Sequence, residues 1–148
     1  MWPETQKKVD LELTLLRRLL HDHRKLLDKV RHGEPDGTEL LALSALLHSF
    51  YTGIENAFKR IAIEIDSFVP TGVRWHSDLL SQMAQRRPDR PAVISSDLCA
   101  RLGEYMEFRH VFRHAYTFDL NWRKMSDLVL QCDQTLEHLN AELQGFFK

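Results

Sequence analysis

The 148-residue sequence has few of the residues that interrupt or cross-link a chain: two cysteines, six glycines and five prolines. Two cysteines exclude a disulfide-rich scaffold, and we interpret Cys99 and Cys132 as buried thiols in a reducing compartment. The chain has no apolar run of about 18 residues that would span a membrane. It also has no signal-peptide pattern in its first ten residues, MWPETQKKVD. We therefore expect a cytoplasmic, soluble protein.

Charge is nearly balanced over the chain but unevenly distributed along it. Twenty Lys and Arg residues stand against 21 Asp and Glu residues, so no global basic field would attract nucleic acid. Residues 74–124 nevertheless carry nine basic and six acidic side chains, whereas residues 34–73 carry two and six. A polyanionic partner is therefore expected to bind a local basic patch.

Apolar residues recur at three-, four- and seven-residue steps, which predicts amphipathic helices and no strands. We predict helices over residues 4–31, 38–67 and 73–85, then one after Ser95 and a last one with Asp119 as its N-cap. Thr38 is the expected N-cap of the second helix. The predicted fold is all-α, an up-and-down bundle of four long helices plus one short helix, in a single domain spanning residues 1–148.

Gly53 lies inside the second predicted helix, where it costs roughly 1 kcal/mol relative to Ala. Either a close contact with another helix or a slight bend would explain it, and the sequence leaves both open.

The segment FRHVFRHAY, residues 108–116, has the densest set of reactive side chains. At about 100° per residue, Arg109, Arg113, His110 and His114 fall on one face of a helix. The opposite, apolar face is predicted to contain Phe108, Val111 and Phe112, with Tyr116 at the border. A solvated helix face is one interpretation, because charged arcs are common. A functional site is the other, because no acidic residue between 108 and 118 relieves the repulsion among these side chains.

Arginine and histidine together suit phosphodiester chemistry on RNA. The arginine fork binds phosphate oxygens and stabilises charge that develops on them. A histidine can remove the proton of a ribose 2′-hydroxyl or protonate the leaving 5′ oxygen, and no metal is required. One histidine per site would be few, which favours a site shared across a dimer.

The spacing Arg109-x4-His114-x-Tyr116 resembles the R-x4-H-x-Y motif of the HepT toxins, which belong to the HEPN ribonuclease superfamily. Three longer stretches resemble HepT-like proteins in the same order: YTGIENAFKRIAIEID (residues 51–66), VPTGVRWHSDLLSQM (69–83) and FRHVFRHAYTFDLNW (108–122). The resemblance covers most of residues 40–125.

This resemblance implies a helical bundle that dimerises with the motif helices facing each other, and RNA cleavage without metal or cofactor. By similarity, Arg109 would hold the phosphate and His114 would be the acid/base. Tyr116 would be the tyrosine that a minimal nucleotidyltransferase antitoxin modifies with AMP. His110 departs from the family, which often has Asn there, and three roles stay open for it: catalysis, substrate binding or filling space. Arg113 is outside the motif but on the same arc, and we assign His110 and Arg113 to substrate binding.

A non-catalytic helical module that binds a nucleotidyltransferase or RNA is the alternative function, and a helical accessory protein with an inert basic surface is the third. Other candidate residues are interpreted as structural. His21 and His23 lie too far apart around a helix to chelate one metal, and the Trp75-His76 pair is expected to pack or cap its short helix. The arginines of the RRPDRPAV loop (residues 86–93) are expected in solvent, with an RNA or partner contact as the alternative.

Overall fold

The computed structural model describes residues 1–148, apart from the side chain of Thr117. The part of the chain that it describes is all-helical and contains no strand, as predicted. The α-helices are α1 (Pro3–Asp22), α2 (Arg24–Lys29), α3 (Gly37–Ile61), α4 (Trp75–Met83), α5 (Ser96–His114), α6 (Trp122–Leu130) and α7 (Cys132–Phe147). A π-helical turn (Ala62–Asp66) extends α3, and a 3-10 turn (Thr117–Asp119) follows α5.

The first and last predicted helices are each divided, so the arrangement of four long helices plus one short helix is not confirmed. His23 separates α1 from α2. Its Nδ1 lies 2.8 Å from the carbonyl oxygen of Leu19, which the backbone N–H of residue 23 would bond in a continuous helix. Gln131 separates α6 from α7, although its N–H still donates to the carbonyl of Asp127.

Two of the predicted helix starts are displaced. Asp36, and not Thr38, is the N-cap of α3, because Asp36 and Glu39 form a reciprocal capping box. Asp119 does not begin the last helix. The N-cap of α6 is Asn121, whose side chain accepts from the backbone N–H of Arg123.

The helix α3 runs antiparallel to α1 and α2, as ion pairs at their ends show. Lys8, early in α1, pairs at 2.8 Å with Glu64, just past α3, and Lys29 at the end of α2 pairs at 2.6 Å with Glu39 at the start of α3. One continuous hydrophobic core connects all seven helices. The helices α3, α4 and α5 also pack on one another, which brings the carboxyl-terminal half of α5 against both others.

Gly53 marks a close contact between α1 and α3. A Cβ atom at this position would lie 2.6 Å from Leu16 Cδ2, a separation that side chains do not adopt. Of the two explanations for this glycine, the structure therefore favours the close helix–helix contact.

The expectation of a solvated arginine loop is wrong for Arg90. Only 4% of Arg90 is exposed, and its guanidinium donates to Asp66 Oδ1 at 2.6 Å, to Asp66 Oδ2 at 2.8 Å and to three backbone carbonyls. Burial alone would raise the pKa of the Asp66 carboxyl, but hydrogen bonds from Arg90 and Gln82 outweigh it and hold that pKa below its usual range. The buried carboxylate thus draws the arginine inward.

Candidate functional site

The five residues predicted for the site lie at the end of α5 and just beyond it, but they do not share one solvated face. Arg109 is 5% exposed, whereas His110, Arg113 and His114 are exposed. Arg109 follows Tyr105 by four residues, and Tyr105 is in the core, so both side chains point into the bundle. The predicted common arc is therefore split between an inner arginine and three outer side chains.

Side chains of α3 hold Arg109 in a fixed orientation. Arg109 Nη2 donates to Glu55 Oε2 at 2.9 Å, and Nη1 donates to Thr52 Oγ1 at 3.2 Å. The guanidinium also lies over the ring of Tyr51, with its carbon 4.8 Å from the ring centroid. The Arg109–Glu55 pair is thus buried and hydrogen-bonded, which is the condition under which a charged pair is tolerated inside a protein.

His76 of α4 joins this pair, which the sequence-based interpretation did not anticipate. Its Nδ1 lies 2.7 Å from Glu55 Oε2 and 3.0 Å from Arg109 Nη2. We place the imidazole proton on Nδ1, because a carboxylate oxygen only accepts hydrogen bonds. The ring contacts Trp75 at a centroid distance of 3.6 Å, and the ammonium of Lys59 lies over Trp75 at 4.4 Å. The Trp75-His76 pair therefore packs, as expected, and also reaches the site.

An open cavity of about 500 Å³ lies between α4 and α5 at this point. Its charged and titratable lining consists of Arg74, His76, Glu107, Arg109, His110 and Arg113. Three arginines and two imidazoles thus face a single glutamate across the opening. With Arg109 paired to Glu55, Arg74 and Arg113 still outnumber Glu107 on the lining, so the cavity is cationic and suits an anionic ligand.

His114 and Tyr116 lie near the cavity and not on its lining. His114 is the last residue of α5, and its ring contacts that of His110 edge-to-face at 4.9 Å. Tyr116 is 71% exposed and stacks in parallel on Phe118 at 5.3 Å. Tyr116 does not lie at the border of the apolar helix face as predicted, because the backbone turns to an extended conformation at Ala115.

The apolar face of the segment also differs from the prediction. Val111 is 59% exposed, so it is not a core residue, and Phe108 and Phe112 are half-buried. Because Arg109 takes the inward direction, the residues that flank it are rotated toward the edge of the bundle. Val111 and Phe108 then lie at the edge of the bundle, Val111 exposed and Phe108 half-buried.

His48 of α3 is a second histidine that the sequence did not single out. Its ring lies 5.8 Å from Phe112, and its Nδ1 has no hydrogen-bond partner among the described residues. Burial lowers the pKa of His48, and the nearby charges of Arg109 and Arg113 lower it further. His48 is therefore neutral at physiological pH and adds no charge to the site.

A family model described as "HepT-like protein" matches residues 42–148, which is well over half of the chain. The chain belongs to the HepT-like protein family. The match includes all five predicted site residues together with Glu55 and His76, whereas α1 and α2 lie outside it. No curated protein and no solved structure matches the chain.

Sequence reasoning missed Glu55, the residue that organises this HepT-like site. A signal for it was present, because Glu55 follows Tyr51 by four residues and lies on the buried stripe of α3. A lone carboxylate on an apolar stripe requires a buried partner. The periodicity does not say which of the chain's basic residues supplies it.

A metal-binding cluster and a membrane-spanning helix are both absent from the described residues. They contain no cluster of three or more His, Cys, Asp or Glu side chains that could hold a metal ion. None of the described helices is long and apolar enough to cross a membrane.

Cys132 is buried, which raises the pKa of its thiol to about 12, and Cys99 is half-buried.

Proposed function

We propose that this HepT-like protein is a metal-independent endoribonuclease toxin of the cytoplasm. It cleaves RNA in a cleft formed across a homodimer. A minimal nucleotidyltransferase antitoxin silences it by transferring AMP to Tyr116.

The observation that supports this proposal most is the fixed position of Arg109 in the wall of a cationic cavity. Glu55 and Thr52 each accept a hydrogen bond from one N–H of the Arg109 guanidinium, which leaves its remaining N–H donors for a phosphate. Donors that are oriented before substrate binds need no rearrangement as charge develops in the transition state. His110 and Arg113 border the same cavity and are assigned to binding of the RNA backbone.

His114 is proposed as the acid that protonates the leaving 5′ oxygen. It is exposed at the end of α5 next to His110, where a long substrate leaving the cavity would pass. A positioned imidazole contributes about 10²- to 10⁴-fold to such a reaction. Because its side chain is exposed, replacing His114 leaves the core unchanged.

The test is cleavage of RNA in EDTA by the wild type and by His114→Ala and Arg109→Lys variants. We expect His114→Ala to lose about 10²-fold or more, and Arg109→Lys about 10²-fold, because lysine keeps the charge but lacks the fork. Lysine is preferred to alanine, since alanine would leave Glu55 buried without a partner. His32→Ala, an exposed histidine outside the site, is the matched control and should retain full activity.

Undiminished cleavage by His114→Ala would contradict its catalytic role. An inactive wild type that binds RNA or a nucleotidyltransferase tightly would contradict the nuclease itself.

The antitoxin step has a separate test. Tyr116 is accessible to a modifying enzyme, and AMP would place a phosphate charge at the end of α5, close to His114. Incubation with the partner nucleotidyltransferase and ATP should add one AMP to Tyr116, seen by mass spectrometry, and abolish cleavage. Tyr116→Phe protein should stay active under the same conditions, and its inhibition to the same extent would contradict the proposal.

A non-catalytic binding module is the second candidate, and one observation favours it. The charge of Arg109 is already neutralised by Glu55, and His114 does not line the cavity. A module of this kind would bind RNA or the nucleotidyltransferase through Arg113 and His110 without turnover.

A further inference from the structure

We infer that His76 is a second catalytic histidine, the general base that removes the proton of the ribose 2′-hydroxyl, with Glu55 as its positioning residue. The inference rests on the proposed ribonuclease function and adds a base from within the same chain. The R-x4-H-x-Y motif contains no second histidine, whereas the fold supplies one from α4.

The geometry around His76 matches that of a positioned base. Nδ1–H donates to Glu55 Oε2 at 2.7 Å, which fixes the tautomer and the ring plane. Nε2 then has its lone pair free, and it has no hydrogen-bond partner among the described residues. The side chain is 29% exposed and lines the cationic cavity, so Nε2 is within reach of a ligand bound there.

Charged groups of α3 and α5 lie close to His76. Glu55 of α3 lies 2.7 Å from Nδ1, where it can pair with the imidazolium formed during the reaction, and Arg109 of α5 lies 3.0 Å from the same atom. The ammonium of Lys59 of α3 lies over the ring of Trp75, which in turn contacts the ring of His76. The other charged or titratable groups that face this cavity from α5 are His110, Arg113 and Glu107. A carboxylate thus lies against the ring that receives the proton, as a positioned base requires.

The reaction balances without any further reagent. The 2′ oxygen forms a bond to phosphorus as its proton passes to His76 Nε2. The bond from phosphorus to the 5′ oxygen breaks, and that oxygen takes a proton from the imidazolium of His114. The products are a 2′,3′-cyclic phosphate and a free 5′-hydroxyl, and water then returns both histidines to their starting protonation states.

A substrate that needs no leaving-group protonation separates the two histidines. Uridine 3′-(p-nitrophenyl phosphate) releases a nitrophenolate, which departs without an acid. On RNA, both His76→Asn and His114→Ala should lose about 10²-fold or more. On the nitrophenyl ester, His114→Ala should regain most of the wild-type rate, whereas His76→Asn should stay low because the base is still missing.

Asparagine is chosen at position 76 because its amide N–H replaces Nδ1–H and keeps the hydrogen bond to Glu55. The variant therefore retains the structural role of the side chain and removes only the base. His138→Gln is the control, since His138 pairs with Glu142 at 2.7 Å through Nε2, the position that a glutamine amide replaces, away from the site. Thermal unfolding should show that both variants are folded, and His76→Gln serves as a second test if His76→Asn is not.

The outcomes distinguish a failure of the inference from a failure of the proposed function. If the wild type cleaves RNA and His76→Asn stays within about threefold of it, the inference fails and the nuclease stands. If the nitrophenyl ester restores His76→Asn, His76 acts as the acid and its assignment as the base fails. If the wild type cleaves neither substrate, the proposed function fails and the inference fails with it.

Discussion

At the scale of single residues, two nearly buried carboxylates organise different parts of the molecule. Glu55 pairs with Arg109 and His76 at the wall of the cavity, and Asp66 pairs with Arg90 inside the protein. The Asp66–Arg90 pair is closed to solvent, so its role is to hold the residue 85–95 connection against the end of α3. The Glu55 cluster is open on one side, which leaves its guanidinium and imidazole available to a ligand.

Asp66 should make the protein sensitive to acid. Its pKa is lowered in the folded state, so its contribution to stability is complete above its unfolded pKa of about 4 and is lost as pH falls through the lower, folded value. We expect the unfolding free energy to fall with pH below about 4, and Asp66→Asn to reduce that slope. Thermal melts against pH check this.

The control for Asp66→Asn is Asp133→Asn, which removes a carboxylate from a more exposed pair with Arg24. Asp133→Asn should change the dependence of the unfolding free energy on pH less than Asp66→Asn does. A wild-type slope in the Asp66→Asn variant would show that Asp66 does not contribute to acid sensitivity.

At the scale of helices, the position of α3 determines the site. It supplies Thr52 and Glu55 to Arg109, and on its other side Gly53 allows Leu16 of α1 to approach. The same turn of α3 thus meets α1 on one face and α5 on another. A change in the packing of α1 should therefore be transmitted to the cavity.

Gly53→Ala should destabilise the protein although alanine favours helices. The new methyl group would collide with the buried Leu16, at a cost of about 1–3 kcal/mol, against a gain of roughly 1 kcal/mol in helix propensity. We expect a net loss of about 1 kcal/mol in the free energy of unfolding, measured with urea.

Gly145→Ala is the matched control, because Gly145 lies in α7 with nothing within 4 Å of the added Cβ. It should stabilise the protein by up to about 1 kcal/mol. Equal stabilisation by both variants would show that α1 can move away from α3 without cost.

At the scale of the whole molecule, the end of α5 is the surface that a second copy would cover. Val111 is exposed and lines the cavity, and Tyr116 and Phe118 form a stacked, exposed pair just beyond α5. A homodimer with its α5 helices facing each other would bury Val111 and bring two cationic cavities together. The proposed RNA cleft depends on this association.

Val111→Glu should weaken the proposed homodimer. The charge would be buried at the interface without a partner, so sedimentation velocity at micromolar concentration should show a dimer for the wild type and a shift toward monomer for the variant. Leu11→Glu is the matched control, because Leu11 on α1 is equally exposed at 59%. A monomeric wild type would contradict the shared cleft. A dimer weakened equally by both variants would contradict the assignment of the dimer interface to α5.

Part of the site was predictable because four of its five residues lie within one helix. Helical geometry places Arg109, His110, Arg113 and His114 within two turns whatever surrounds them, so the chemistry of the segment could be inferred from local spacing. Its orientation could not, because whether Arg109 points inward depends on a carboxylate 54 residues earlier in the chain. For the same reason, local spacing places Val111 on the apolar face and Arg90 in solvent, and both predictions are wrong.

Local periodicity and composition were sufficient to predict the all-helical fold, and the flanking stretches were sufficient to suggest the HepT-like family. Both depend on residues that are near one another in the chain. The partners of the buried charges, the place of His76 beside Glu55 and the reason for Gly53 became evident only in the tertiary structure. Each of these is a contact between helices, set by how the faces of α1, α3, α4 and α5 pack, and the spacing within any one helix does not contain it.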